Sequence, residues 1–166
     1  MYSSRVEEQF ISNNGFESQS SNIPYLIVDS FPDLGLITTL RFFEWVYNNP
    51  EGVISLPTGK TPEYFIKWTS YLLNNWDSRT VKSIRKKYNL PSKTKPDFSK
   101  LCFIQIDEFY PLNPGQHNSF YNYVKKYYLE NFCWVFLWFV SNIRSDLRER
   151  ERERVPTVDR GSSNTH

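Results

Sequence analysis

Two short apolar runs, residues 53–56 (VISL) and 101–106 (LCFIQI), constrain the fold of this chain more than any other feature. Each is too short for an amphipathic helix and rich in aliphatic or β-branched residues, and the first is closed by Gly52 and Pro57, so each predicts a buried strand. Helical periodicity lies between them. After the loop 57–61, Thr61 reads as an N-cap and Pro62 as a first-turn proline, and Tyr64, Phe65, Trp68, Tyr71 and Leu72 fall on one face of a helix running toward Asn75. Strands joined through helices favour a parallel sheet with crossover connections, so the expected class is α/β.

The flanking sequence extends this pattern. Residues 1–22 carry Glu7, Glu8 and many Ser and Asn, lack the apolar core of a secretory signal, and predict a polar, solvated N-terminal arm. Residues 23–28 (IPYLIV) are apolar, and Asp29, Ser30 and Pro32 then signal a helix start. Leu34, Ile37, Leu40, Phe43, Trp45 and Val46 recur at helical spacing as far as Asn48, where Asn49, Pro50 and Gly52 stop the helix. Residues 76–100 are polar and basic and predict a short helix plus a loop. Asn118 or Ser119 can cap a helix through Glu130, with Phe120, Tyr123, Val124, Tyr127 and Tyr128 as its apolar stripe.

Composition narrows the function classes. An aromatic share of 17% is too rich for a disordered chain. Net charge is only +2, and the basic stretch from Lys82 to Lys100 holds just Tyr88 and Phe98 as stacking residues, so no nucleic-acid partner is expected. Cys102, Cys133 and two histidines form neither a disulfide framework nor a zinc site, so the expectations are a cytoplasmic protein with no metal and no cofactor. The apolar run 132–140 (FCWVFLWFV) is about half the roughly 20 residues a membrane span needs, so no membrane partner is expected.

Two motifs carry chemistry. Between the first strand and its helix, Thr58-Gly59-Lys60-Thr61 offers a glycine for close backbone approach, two hydroxyls, an ammonium and the N–H groups of a helix start, a combination suited to phosphate. A nucleotide P-loop would need glycine at position 54, which is Ile54. A plain glycine turn capped by Thr61 would read the same way. At the end of the second run stand Asp107 and Glu108, where open α/β sheets place ligand-contacting groups and a carboxylate can serve as general base. Solvated or helix-capping acids are the alternative there. His117 reads as a surface residue beside the Asn118-Ser119 cap, and Cys102 and Cys133 as packing residues.

Taken together, residues 52–62 (GVISLPTGKTP), 103–110 (FIQIDEFY) and 117–121 (HNSFY) resemble the glucosamine-6-phosphate deaminase/isomerase family, in order and in spacing. The related 6-phosphogluconolactonases usually show S-G-G-S-T-P and D-E-R at these places. The resemblance implies a three-layer, Rossmann-like parallel sheet with flanking helices. It implies a small-molecule sugar phosphate held by Thr58, Gly59, Lys60 and Thr61, with Asp107 as the base that moves a proton between C1 and C2 of the opened sugar. Glu108 would support it. Lys60 replaces the family's commoner glycine, and Phe109 the usual tyrosine.

The resemblance covers residues 23–132. The family's later G-x-G-x-D-G-H-like segment, whose Asp and His help open the sugar ring, has no counterpart in residues 133–166, which run from the aromatic stretch into alternating Arg and Glu (148–154) and a polar end. The expectation is therefore a truncated α/β domain with an unrelated, partly disordered tail. Its exposed apolar face could support homo-oligomer formation or other association. Turnover is incomplete on this reading, and a non-catalytic sugar-phosphate-binding or interaction module, or a non-functional truncated product, is the alternative.

Overall fold

Ser30 starts the longest helix. Its backbone is extended (φ −149°, ψ 159°), and its hydroxyl accepts the Asp33 N–H at 3.3 Å while Pro32 occupies the first turn. The computed structural model describes residues 4–14, 25–90, 94–105, 108, 113 and 115–132. Asp107, Phe109, Cys133 and the tail 133–166 lie outside the described residues.

In chain order the elements are α1 (Arg5–Asn14), α2 (Phe31–Asn48), β1 (Val53–Ile54), α3 (Glu63–Asn74), α4 (Arg79–Lys87), β2 (Cys102–Phe103) and α5 (Phe120–Val124). A π-helical turn (Lys125–Leu129) and α6 (Glu130–Phe132) continue α5. The two apolar runs pair in parallel, with Val53 opposite Cys102 and Ile54 opposite Phe103. The Cys102 N–H donates to the Gly52 carbonyl at 2.9 Å, and the Ile104 N–H to the Ile54 carbonyl at 2.8 Å. The class is helix-rich α/β with a small parallel sheet.

Helix α2 buries Leu36, Ile37, Leu40, Phe42, Phe43 and Val46, whereas Leu34 is 46% exposed and Trp45 half-buried. Its closest partner is α3, which turns Phe65, Ile66, Leu72 and Leu73 inward and leaves Tyr64 and Tyr71 at the surface. The helices approach so closely that a Cβ on Gly35 would lie 2.7 Å from the Tyr64 carbonyl carbon. Within this contact the Thr39 hydroxyl sits 2.8 Å from the Gly35 carbonyl and 3.2 Å from the Thr69 hydroxyl.

The aromatic residues form a connected core. Phe42 stacks on Phe98 at 5.5 Å and meets Phe65 edge-on at 5.6 Å, and Phe65 in turn meets Phe132, which contacts Tyr128. Helix α4 is capped by Ser78 and is basic in its last turn, favourable at a helix C-terminus. Arg85 departs from the solvated expectation: its guanidinium lies 4.1 Å over the Trp76 ring and is buried.

The N-terminal residues also depart from expectation. Instead of a solvated arm, Arg5–Asn14 is helical, with Val6 and Phe10 in the core. A buried carboxylate anchors it. Glu44 of α2 accepts the Ser4 hydroxyl at 2.6 Å and the Arg5 N–H at 2.8 Å, and Arg41 bridges Glu44 (2.8 Å) and Glu7 (2.6 Å). Burial opposes the charge on Arg41, but its hydrogen bonds to Glu7 and Glu44 outweigh that and raise its pKa further.

Candidate functional site

The loop after β1 is built around Gly59, whose φ of +90° lies in the left-handed region that favours glycine. A Cβ there would meet nothing within 4 Å, so backbone conformation, not crowding, calls for glycine. Thr58 is half-buried, and Gly59, Lys60 and Thr61 are exposed. The Glu63 N–H turns back to the Lys60 carbonyl at 3.1 Å, and the Ile66 N–H takes the Pro62 carbonyl at 2.9 Å. Thr61 is therefore not the helix cap. Pro62 occupies that position with no side-chain cap bond, and α3 begins at Glu63.

Charge at the head of α3 is already partly matched. Glu63 pairs with Lys67 at 2.5 Å; this hydrogen bond, reinforced by the two positive charges of Lys67 and Lys60, holds its carboxyl below the usual range. Lys60 adds its ammonium at the exposed turn of the loop.

On the opposite side, two tyrosines hold the loop. The Tyr123 hydroxyl donates to the Gly59 carbonyl at 2.5 Å, and the Tyr128 hydroxyl to the Pro57 carbonyl at 2.6 Å. Burial raises the Tyr128 pKa well above the phenol range, and burial followed by the neighbouring Tyr127 raises that of Tyr123, so both hydroxyls stay protonated donors at neutral pH. In the sequence these residues read only as an apolar stripe. The signal available was that a buried tyrosine needs a partner for its hydroxyl.

Glu108 holds the start of the same helix. Its carboxylate accepts the Phe120 N–H at 3.0 Å, the Tyr121 N–H at 2.9 Å and the Ser119 hydroxyl at 2.8 Å, while Ser119 caps the Asn122 N–H at 3.2 Å. Of the two possible caps, Ser119 is the one used, and His117 is exposed nearby. The structure thus joins the loop 57–59, the helix 120–132 and Glu108 into one hydrogen-bonded assembly. Asp107, the expected base, lies outside the described residues. Among the described residues no group of three or more His, Cys, Asp and Glu side chains converges to hold a metal.

A cavity of about 650 Å³ opens beside this assembly, lined by Pro57, Thr61 and Pro62 together with Phe31, Leu34 and Val53. Its lining is mostly apolar, with Thr38, Ser55 and Thr61 as hydroxyl residues and Arg41 as the charged one, whose charge Glu7 and Glu44 match. Of the four loop residues suited to an anion, Thr61 lines this cavity, while Thr58, Gly59 and Lys60 are not among its lining residues.

Two curated relatives match 99 residues at 26% identity: the glucosamine-6-phosphate deaminases of Clostridium botulinum strain Kyoto / Type A2 and strain 657 / Type Ba4. The chain is similar to part of a glucosamine-6-phosphate deaminase. The deaminase-like stretch takes up 60% of this chain and 33% of each relative, so the match spans about a third of the length of these deaminases. A solved monomeric glucosamine-6-phosphate deaminase, described as a missing link of the NagB superfamily, is 19% identical, with a TM-score of 0.46 over 63% of this chain and 36% of that one. No protein-family profile matches the sequence. Among the described residues no helix is long and apolar enough to cross a membrane.

Proposed function

We propose that residues 23–132 are the N-terminal part of a sugar-phosphate isomerase/deaminase-like domain, with a three-layer, Rossmann-like sheet, that binds an amino-sugar phosphate. Thr58, Gly59, Lys60 and Thr61 take the phosphate. The observation that carries this reading is the left-handed Gly59 between a parallel strand and a helix start, in a chain similar to part of the glucosamine-6-phosphate deaminases. Successive backbone N–H groups in such a turn form a concavity for an anion, and the Lys60 ammonium adds a point charge.

Asp107, at the end of the run that forms β2, is the base for proton movement between C1 and C2. Glu108 supports it by fixing the connection to the helix 120–132. Proton transfer to carbon requires the sugar in its open form and the base within hydrogen-bond reach. The sequence offers no counterpart to the family's ring-opening Asp and His, so this chain alone binds and turns over little. No cofactor or metal enters the proposal, and a cytoplasmic setting suits it.

Thermal unfolding of the full chain with glucosamine 6-phosphate and with glucosamine, beside an ammonia-release assay, tests this. A midpoint raised by the phosphate ester alone, with ammonia release near background, is expected, because a ligand that binds only the folded state stabilises it by mass action. Equal effects of both sugars would refute phosphate recognition. Vigorous ammonia release abolished by Asp107→Asn would refute the incomplete site.

A further inference from the structure

The helix that follows β2 contacts the loop through two residues that an uninterrupted α-helix would keep apart. At 3.6 residues per turn, positions five apart point about 140° away from each other. Tyr123 and Tyr128 are five apart, yet both reach the same loop, and their ring centroids are 6.1 Å from one another. The intervening turn, Lys125–Leu129, is π-helical. Its i→i+5 hydrogen bonds widen the turn and bring positions five apart toward one face. The π turn therefore has a local consequence: two hydroxyls presented side by side to one stretch of backbone.

What the hydroxyls hold matters more. In a planar trans peptide the C=O of one residue and the N–H of the next point in opposite directions. Fixing the Pro57 carbonyl on Tyr128 turns the Thr58 N–H away from the helix. Fixing the Gly59 carbonyl on Tyr123 turns the Lys60 N–H away as well. Both amides then point away from the tyrosines, in a turn where Gly59 and Lys60 are exposed and a Cβ on Gly59 would meet nothing within 4 Å.

We propose that Tyr123 and Tyr128 are positioning residues, which hold the loop so that the Thr58 and Lys60 amides face the phosphate of the bound sugar. The inference rests on the sugar-phosphate reading above and adds to it the device that pre-orients the donors before ligand arrives. Tyr123, being half-buried, can lose its hydroxyl without opening the core, while Tyr128 is fully buried.

The test is titration of the full-length, 15N-labelled chain with inorganic phosphate and with glucosamine 6-phosphate, following the Thr58, Gly59 and Lys60 amides, for the unaltered protein, Tyr123→Phe and Tyr128→Phe. The urea midpoint of each is measured alongside. Tyr123→Phe is expected to move the Lys60 amide resonance in the free protein and to weaken binding about three- to tenfold, the range of one lost hydrogen bond, with little change in midpoint. Tyr128→Phe is expected to move the Thr58 amide resonance and weaken binding by a similar factor, with a lowered urea midpoint because its ring is fully buried. Binding by the unaltered chain that Tyr123→Phe leaves unchanged overturns the positioning role alone. No phosphate-dependent shift at residues 58–60 in the unaltered chain overturns the sugar-phosphate reading and this inference together.

Discussion

The Tyr128 hydroxyl donates to the Pro57 carbonyl at 2.6 Å, joining residues 71 apart and tying the helix after β2 to the loop after β1. The Tyr128 ring behind this hydroxyl is fully buried, whereas Pro57 lies at the surface. Tyr128→Phe keeps the ring and loses the bond, and is expected to cost about 0.5–1.5 kcal/mol in urea unfolding. Tyr128→Ala also empties a core site, and the expected cost rises to about 3–5 kcal/mol.

Glu44 offers a second test. Its nearly fully buried carboxylate satisfies Ser4, the Arg5 N–H and Arg41, so Glu44→Ala removes a carboxylate paired with Arg41 and frees the start of α1. Breaking a buried, hydrogen-bonded charge pair from one side is expected to cost about 3–5 kcal/mol. Hydrogen exchange should show amides of Arg5–Asn14 losing protection first, before those of α2.

Gly35→Ala tests the α2–α3 contact. An alanine in mid-helix is worth up to about 1 kcal/mol over glycine, but its methyl carbon would sit 2.6 Å from the Tyr64 Cβ and 2.7 Å from the Tyr64 carbonyl carbon. Because backbone cannot swing aside as a side-chain tip can, overpacking wins, and a net loss of about 1–3 kcal/mol in urea unfolding is expected.

The pH dependence has a definite sign. The hydrogen bond from Lys67 and its charge hold Glu63 below the ordinary carboxyl range, and the Ser99 N–H does the same for Asp97. A carboxylate with a lowered folded pKa contributes stability that is fully present above its unfolded value, roughly 4, and is lost as pH falls through the folded value. The urea midpoint should therefore drop as pH falls below about 4, and less steeply in Asp97→Asn. Both groups are fully solvent-exposed, so each contribution is small and reduced further by salt.

Much of this architecture was legible in sequence because it rests on local chemistry. Ser30 with Pro32 marked the start of α2, Ser119 capped the helix after β2, and the two apolar runs formed the parallel pair. What escaped depends on long-range partners. Residues 5–14 look solvated by composition, but Val6 and Phe10 find the core only because Glu44, 40 residues from Ser4, receives the helix start. Ser4 followed by Glu7 was the available capping signal. Thr61 is well placed as a cap by residue type, yet the Lys60–Glu63 turn moves the cap to Pro62. Tyr123 and Tyr128 escaped because strict α-helical periodicity cannot foresee a π turn.

The most direct measurement is calorimetric titration of the full chain with glucosamine 6-phosphate, repeated on Gly59→Val, which cannot comfortably hold a φ of +90°. The account predicts saturable one-to-one binding by the unaltered protein that Gly59→Val abolishes while the variant still unfolds cooperatively. No saturable heat, or equal binding by Gly59→Val, would contradict it.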